Sequence, residues 1–471
     1  MCLWQIEKSS LKVKARSLCM ELYQVRVFRS IIFIMISGLL LGQFGCSHWQ
    51  PRSAVRADQQ AESAILFIGD GLGVSQLTAT RIWAHGSAGR LNMESMPFTG
   101  YVSTYAEDHF VTDSAAAATA LASGVKTDYR RIGVSSEKTG GRPLVSIVDI
   151  ARDQGKSIGV VTTTRVTHAT PAAFYAQTPS RAQELEIAEQ FVSGAKVDLL
   201  LGGGRRFFTP PEWQDPEESK VGERTDGRNL IDELVKKGWT YVDSSRGLES
   251  FMARNPTPKD SKLIGLFEYD HMRYELDRQN DKLGEPSLAE MVDAAIGFLS
   301  RNPNGFFLMV EAGRIDHAGH GNMAHHMLGD TSAMDEAVKR ARQKIQSQDL
   351  STLLVVTSDH ETGGLAINGY ALREQAERQG LLGNVQGKAI MTFSTGPGGG
   401  KGDHSVDLDK GPERVHPALY RLDSAVHTAV DVPVLAEGPG AHRFTGFMDN
   451  TDIPHKILKS MGLPKLPKQS Q

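Results

Sequence analysis

Three short apolar runs, residues 64–69 (AILFIG), 305–311 (GFFLMVE) and 352–358 (TLLVVTS), each deliver an acid at or just past their carboxyl end. The acids are Asp70, Glu311 and Asp359, the last followed directly by His360. Two further runs, 157–163 (SIGVVTT) and 197–202 (VDLLLG), have the same character, and stretches with helical patterning separate them, among them 144–153 and 288–300. Apolar runs that alternate with helices are the pattern of a parallel sheet buried on both faces. The expected fold is therefore α/β, with a large, mostly parallel central sheet flanked by helices on both faces. In such sheets ligands bind beyond the carboxyl ends of the strands, so the three acids converge on one edge. Converging carboxylates repel one another unless positive charge lies between them. A metal cluster is the simplest remedy.

The rest of the chain fits around this frame. Its 471 residues, 40% hydrophobic and 23% charged, suit one large soluble domain with insertions. A net charge of -3, with no basic cluster interleaved with aromatics, argues against nucleic acid as a partner. Residues 205–287 are rich in charge, Pro and Gly and read as an insertion; residues 394–412, containing GPGGGKGD, read as a long loop. Arg26 and Arg29 precede the apolar run 31–42, which leads to Gly45-Cys46. This is the pattern of a secretory leader, with Cys46 a candidate lipidation site of the bacterial lipoprotein kind and Met20 a candidate start. The run is about half as long as a bilayer span requires. The expected organisation is a leader over 1–46, a tether over 47–60, a catalytic domain over 61–462 and a loose tail over 463–471. The expected location is the periplasm or cell envelope of a bacterium. Cys2, Cys19 and Cys46 all fall in the leader, so any metal in the body is held by imidazole and oxygen groups.

Individual motifs are ambiguous. The GDGLG stretch at 69–73 follows a strand, but the third glycine of a dinucleotide fingerprint would fall on Val74, and Asp70 occupies the turn where a pyrophosphate should lie. Its glycines better serve a tight turn that presents Asp70. In EAGRIDHAGH (311–320), Asp316 and His320 stand at i and i+4, a spacing that on a helix serves either a surface hydrogen bond or shared ligation of an ion. Residues 162–174 (TTTRVTHATPAAF) supply His168 and Thr170, and Arg181 follows eleven residues after Thr170 as a candidate phosphate fork. In HFVTDSAAAATALASG (109–124), Ser114 reads as the cap of an alanine helix. A cap accounts for neither Asp113 nor the small residues through Gly124. The assembled set of carboxylate, imidazole and hydroxyl groups suits zinc with magnesium.

Together these motifs resemble the alkaline phosphatase family, in order and across about 61–459. FIGDGLG resembles its first metal strand, VTDSAAAATALASGVKT its nucleophile segment and HATPAAF its third-metal segment. VEAGRIDHAGH and TSDHETGG resemble its remaining metal strands, and AVHTAVDVPVLAEGPGAH the segment with its last metal histidine. The resemblance implies hydrolysis of phosphate monoesters through a phosphoserine on Ser114, with Arg181 gripping the phosphate. It implies one zinc on Asp316, His320 and His427, a second on Asp70, Asp359 and His360, and a magnesium on Asp70, Thr170 and Glu311. The His427 role rests on the resemblance alone. Asp113 is expected to orient the serine loop and Arg181. His168 and His317 stand where some bacterial members carry Asp and Lys, which leaves the third metal's identity open. Residues 265–278 resemble the calcium-binding part of animal members, with Glu268 the residue carried over. The family is usually homodimeric. A sulfatase is disfavoured because Ala-Ala follows Ser114, and a diesterase because Arg181, Thr170 and Glu311 are all present. A lipoprotein that binds zinc or phosphate without turnover is the other alternative.

Overall fold

The computed structural model describes residues 59–467, apart from Ala195, Glu218, residues 370–373 and 375–379, Lys401 and Asp403. The leader including Cys46, most of the tether, and residues 468–471 lie outside the described residues. Ten strands form the central sheet: β1 (Ser63–Gly69), β2 (Phe98–Ser103), β3 (Ser157–Arg165), β4 (Leu199–Gly203), β5 (Trp239–Val242), β6 (Lys262–Leu266), β7 (Phe306–Ala312), β8 (Thr352–Ser358), β9 (Val432–Glu437) and β10 (Gly446–Asp449). Their order is β10-β2-β9-β8-β1-β7-β3-β4-β6-β5. Only β9 runs antiparallel to its neighbours, β2 and β8. All five expected strands are present.

Burial on both faces explains their unbroken apolar character. Leu66, Ile68, Val160, Met309 and Val355 point to one face and pack with helices Ser114–Ser123, Ile147–Asp153 and Asp452–Ser460. Ile65, Phe67, Val161, Val310 and Val356 point to the other and pack with helices Leu288–Leu299 and Ala324–Ser347. The two-residue period of the strands divides one apolar run between two cores. Helix Ile147–Asp153 starts later than the expected 144 because Ser146 and Asp149 form a capping box there.

Two sequence expectations change. Residues 205–287 are more than an appendage: they contribute β5 and β6, which extend the sheet in parallel register beyond β4. The segment after 463 is not wholly a loose tail either, since Leu466 is buried in the core. Its alternation of Leu with Pro and Lys hid the leucines that dock, Leu466 and, half-buried, Leu463.

Register aligns the acids. Ile68 pairs with Glu311 and Gly69 with Ser358, so Asp70, Glu311 and Asp359 emerge side by side from three adjacent strands. Thr162 of β3 pairs with Glu311 on the other side. Gly71 makes the turn after Asp70 at φ +77°, and a Cβ there would lie 2.9 Å from the Asp316 Cα. Both conformation and space demand glycine.

Candidate active site

Asp70, Glu311, Asp359 and His360 are completely buried at the carboxyl edge of the sheet. Asp70 Oδ1 and Oδ2, Asp359 Oδ2, Glu311 Oε1 and His168 Nδ1 meet no hydrogen-bond partner. Buried polar atoms in native proteins are almost always paired, and a charged one left alone is costly. So many orphans in one place fit a donor set that closes around cations. Burial, then repulsion from Asp359, Asp316 and Glu311, holds Asp70 well above the ordinary carboxylate range. The same causes, burial first, lift Asp359 to about 8. Burial raises Glu311 to about 7, against the hydroxyls of Thr162, Thr164 and Thr170, which favour its charged form.

Three sets of ligand atoms come within 4.8 Å of one another here: Asp316, His360 and His427; Asp70, Asp359 and His360; and Asp70, His168 and Glu311. Asp316 and His320 lie on one short helix, Arg314–His320, and their Oδ2 and Nε2 atoms are 3.2 Å apart. The i, i+4 spacing therefore faces the cluster and not the solvent. Burial alone would lower the His320 pKa, but the Asp316 carboxylate overrides it and holds the imidazole at about 9. His427 Nε2 stands 3.2 Å from His320 Nε2. A short antiparallel ladder delivers His427 by pairing it with Thr362, two residues past His360. That pairing is long-range, so no local pattern around residue 427 announces it.

The segment 109–124 departs from expectation in one respect. Asp113, not Ser114, caps helix Ser114–Ser123: its carboxylate accepts the Ala116 N–H at 3.2 Å. Ser114 is the first helical residue, and its Oγ lies 3.2 Å from His360 Nε2. Asp113 also accepts from Arg181 Nη1 and from the Arg130 N–H, each at 2.9 Å. One carboxylate thus ties the helix start to the Arg181 fork. All ten helix residues are buried, which explains the alanines: larger side chains would not fit beneath the cluster. Arg181 Nη2 contacts His168 Nε2 at 2.9 Å.

Other partners carried no sequence signal that singled them out. Thr162 and Thr164 both donate to Glu311 Oε2, and the Thr362 hydroxyl donates to Asp316 Oδ1. His271 joins His168 and His317 in a trio of rings with centroids 4.3 to 5.6 Å apart. Burial, then the neighbouring Arg314, depresses the His317 pKa to about 3. Away from this cluster, Glu268 meets Glu217 and Asp281 in a fourth acid group, with Arg273 Nε 3.0 Å from Glu268 Oε1. Burial raises Glu268 to about 8.

Unpaired carboxylates and imidazoles that surround a serine oxygen at a helix start have a clear chemical use. They hold cations against an ester's oxygens, the hallmark of metal-dependent hydrolases on an α/β sheet. The chain belongs to the alkaline phosphatase family, whose model, described as "Alkaline phosphatase", matches residues 61–463. It is 37% identical over 444 residues to the alkaline phosphatase of Gadus morhua, covering 84% of this chain and 91% of that protein. It is 36% identical over 439 residues to the tissue-nonspecific isozyme of Rattus norvegicus, covering 84% and 82%. Among solved structures, the alkaline phosphatase of the Antarctic bacterium TAB5 matches at 28% identity and a TM-score of 0.63, covering 86% of this chain and 99% of that one. The Thermus thermophilus enzyme matches at 27% identity and a TM-score of 0.69, covering 90% and 97%. The protein is thus a phosphomonoester hydrolase of the alkaline phosphatase type.

Proposed function

We propose that Ser114 is the nucleophile of this hydrolase, that Arg181 holds the phosphate, and that two zinc ions and one magnesium complete the site. The observation that carries the reading is the Ser114 oxygen standing 3.2 Å from an imidazole of the orphaned carboxylate cluster. Asp316, His320 and His427 would hold one zinc and Asp70, Asp359 and His360 the other. Asp70, Thr170 and Glu311 would hold the magnesium, with His168 able to join them. Bound there, the ions supply positive charge that favours the serine alkoxide, neutralises the phosphoryl oxygens and activates water.

The chain's own groups do the positioning. The amino end of helix Ser114–Ser123 adds its dipole to the stabilisation of the serine oxyanion. The Ser114 oxygen forms a bond to phosphorus as the ester oxygen departs in line; water then attacks the phosphoserine, releases phosphate and restores the hydroxyl. Arg181, steered by Asp113 and His168, offers its planar fork to two phosphate oxygens. Little in this scheme grips the alcohol, which supports broad monoester specificity. Replacement of Asp113 by Ala is expected to raise KM for p-nitrophenyl phosphate about tenfold, because Arg181 loses its anchor. Loss of the cap should cost about 1 kcal/mol of stability. Steady-state kinetics and thermal melts on the variant check both, and an unchanged KM would remove Asp113 from the positioning role.

A direct assay tests the whole reading. The purified protein should hydrolyse p-nitrophenyl phosphate at alkaline pH, lose activity to a chelator, and regain it with zinc plus magnesium. A diester run alongside should be a poor substrate; preference for the diester would sink the assignment. The TAB5 enzyme's His-to-Asp and His-to-Glu variants hold Mg in its M3 site. Here the neutral, buried His168 leaves the third site open to zinc as well. We further propose calcium on Glu268, Glu217 and Asp281; calcium added to the chelated protein after zinc and magnesium should raise the melting temperature further, and no gain would remove this site. Export, a lipid anchor on Cys46 and a homodimer complete the proposal. Exposed Leu419, Tyr420 and Phe447 offer apolar surface for a second copy, and no helix among the described residues is long and apolar enough to cross a membrane. Palmitate labelling of wild type against Cys46→Ser, and sedimentation, check these last points.

A further inference from the structure

Two segments zip together beside the nucleophile helix. The Glu107 N–H donates to the Thr127 carbonyl and the Tyr129 N–H to Asp108 Oδ1, each at 2.9 Å. Arg130 closes the zip: its N–H donates to Asp113 Oδ1, and its carbonyl accepts the Arg181 N–H, each at 2.9 Å. Both backbone groups of Arg130 are therefore committed to the residues that cap the serine helix and form the phosphate fork. Its φ is +69°, a left-handed conformation that glycine or asparagine adopts more readily. Either of those would serve the same two hydrogen bonds with less strain, so the backbone gives no reason for a long cationic side chain.

The side chain stands apart from its neighbours. Arg131 pairs with Asp128 and Glu137, Arg165 with Glu184 and Asp270, and Arg181 with Asp113. The exposed Arg130 guanidinium makes no ion pair or hydrogen bond among the described residues. Its charge reaches the Tyr129 hydroxyl: burial and Asp113 raise that group's pKa, while Arg181 and Arg130 pull it down. The same hydroxyl also feels Asp316. Through its backbone Arg130 adjoins both the residue that caps the serine helix and the residue that forms the phosphate fork. Beside it, the Tyr129 ring leans on His109 with centroids 4.8 Å apart, and Phe110 is 93% exposed. The rim is thus aromatic with one unspent positive charge.

We propose that Arg130 is a specificity residue that binds a second anionic group, phosphate or carboxylate, carried by the alcohol portion of the ester. The inference rests on the active-site reading above and refines its substrate class. Bond making and breaking are unchanged: serine oxygen joins phosphorus, the ester oxygen leaves and takes a proton from water, and Arg130 holds the distal anion meanwhile. A partly exposed charge-assisted contact is worth about a tenfold preference.

Three esters of one carbon skeleton test this: 2-hydroxyethyl phosphate, phosphoglycolate and ethane-1,2-diyl bisphosphate. The readout is kcat/KM of each anionic ester divided by that of the hydroxyethyl ester. Arg130→Asn keeps a residue that tolerates the left-handed backbone, and should lower one or both ratios about tenfold. Arg130→Lys should retain most of the preference, and 0.5 M salt should erode it in the wild type. Which ratio falls distinguishes a carboxylate from a second phosphate. Ratios that stay constant in Arg130→Asn, whether or not all three rates fall together, would overturn the proposal and leave Arg130 a purely structural strut. Wild type inert toward all three esters would overturn the active-site reading itself, and this inference with it.

Discussion

Ser114→Ala should lower kcat/KM for p-nitrophenyl phosphate by at least about 10^4-fold, the usual scale when a nucleophile is removed from a unit that works together. The fold should survive the change. Ser114 is the first residue of its helix, alanine suits that position, and the lost contact is a single hydroxyl-to-imidazole approach. Such a contact is worth about 1 kcal/mol, so the melting temperature should move by only a few degrees. The covalent step has its own signature: wild type incubated with labelled phosphate and quenched in acid should retain label on Ser114, and the variant should retain none. Loss of activity smaller than tenfold, or label on another residue, would place the nucleophile elsewhere. Asp113→Ala serves as a reference because it disturbs the same helix start through the cap and Arg181 while leaving the oxygen in place.

Much of this site is legible in the sequence, and the reason is geometric. A parallel strand carries its acid to a fixed edge, so Asp70, Glu311 and Asp359 announce their meeting wherever three apolar runs end alike. The Asp316–His320 spacing has the same local logic once the segment is helical. Residues supplied by long-range contacts leave no such trace. His427 arrives through a two-residue ladder to Thr362, and His271 enters from the loop after β6 to meet His317 edge to face. Glu217 and Asp281 lie 64 residues apart, with Glu268 between them in the chain, and nothing local marks the three as one group. The cap is ambiguous in the sequence for a different reason. Asp and Ser are both good capping residues, and adjacency alone does not say which one precedes the first helical turn. At β5 and β6, charge and proline in the flanking loops masked short strands of only four and five residues.

Removal of metal should have the second large effect, and its dependence on pH follows from the orphaned carboxylates. An ion held at a thousand times its Kd adds about 4 kcal/mol of stability. Chelation of several ions should therefore lower the melting temperature on the order of 10 °C. In the metal-free protein, Asp359 sits at about 8 and Glu311 at about 7, both from burial first. An unfolded carboxyl titrates near pH 4. The native state therefore keeps protons that the unfolded chain has already released, and stability declines as pH rises toward the folded-state values. His320, held at about 9, acts in the same direction, since the native imidazole stays charged after the unfolded one has lost its proton. The buried His168, His317 and His360, whose pKa values burial lowers, act oppositely, but only below about pH 6.5, where an unfolded histidine gains its proton. Asp316, held well below its ordinary value, has its window lower still. Between about pH 7 and 9 the raised cluster groups should cost the chelated protein on the order of 3 kcal/mol, on top of a decline from Glu268, Asp330 and Glu285, which burial lifts to about 8, 8 and 9 whether or not the cluster is loaded. Cations that occupy the cluster stabilise the ionised carboxylates, so the loaded protein should decline over the same range only through the acids outside the cluster, with the shallower slope. Melts at pH 7, 8 and 9, with and without chelator, give the two slopes, and parallel slopes would mean that these acids do not face the ions.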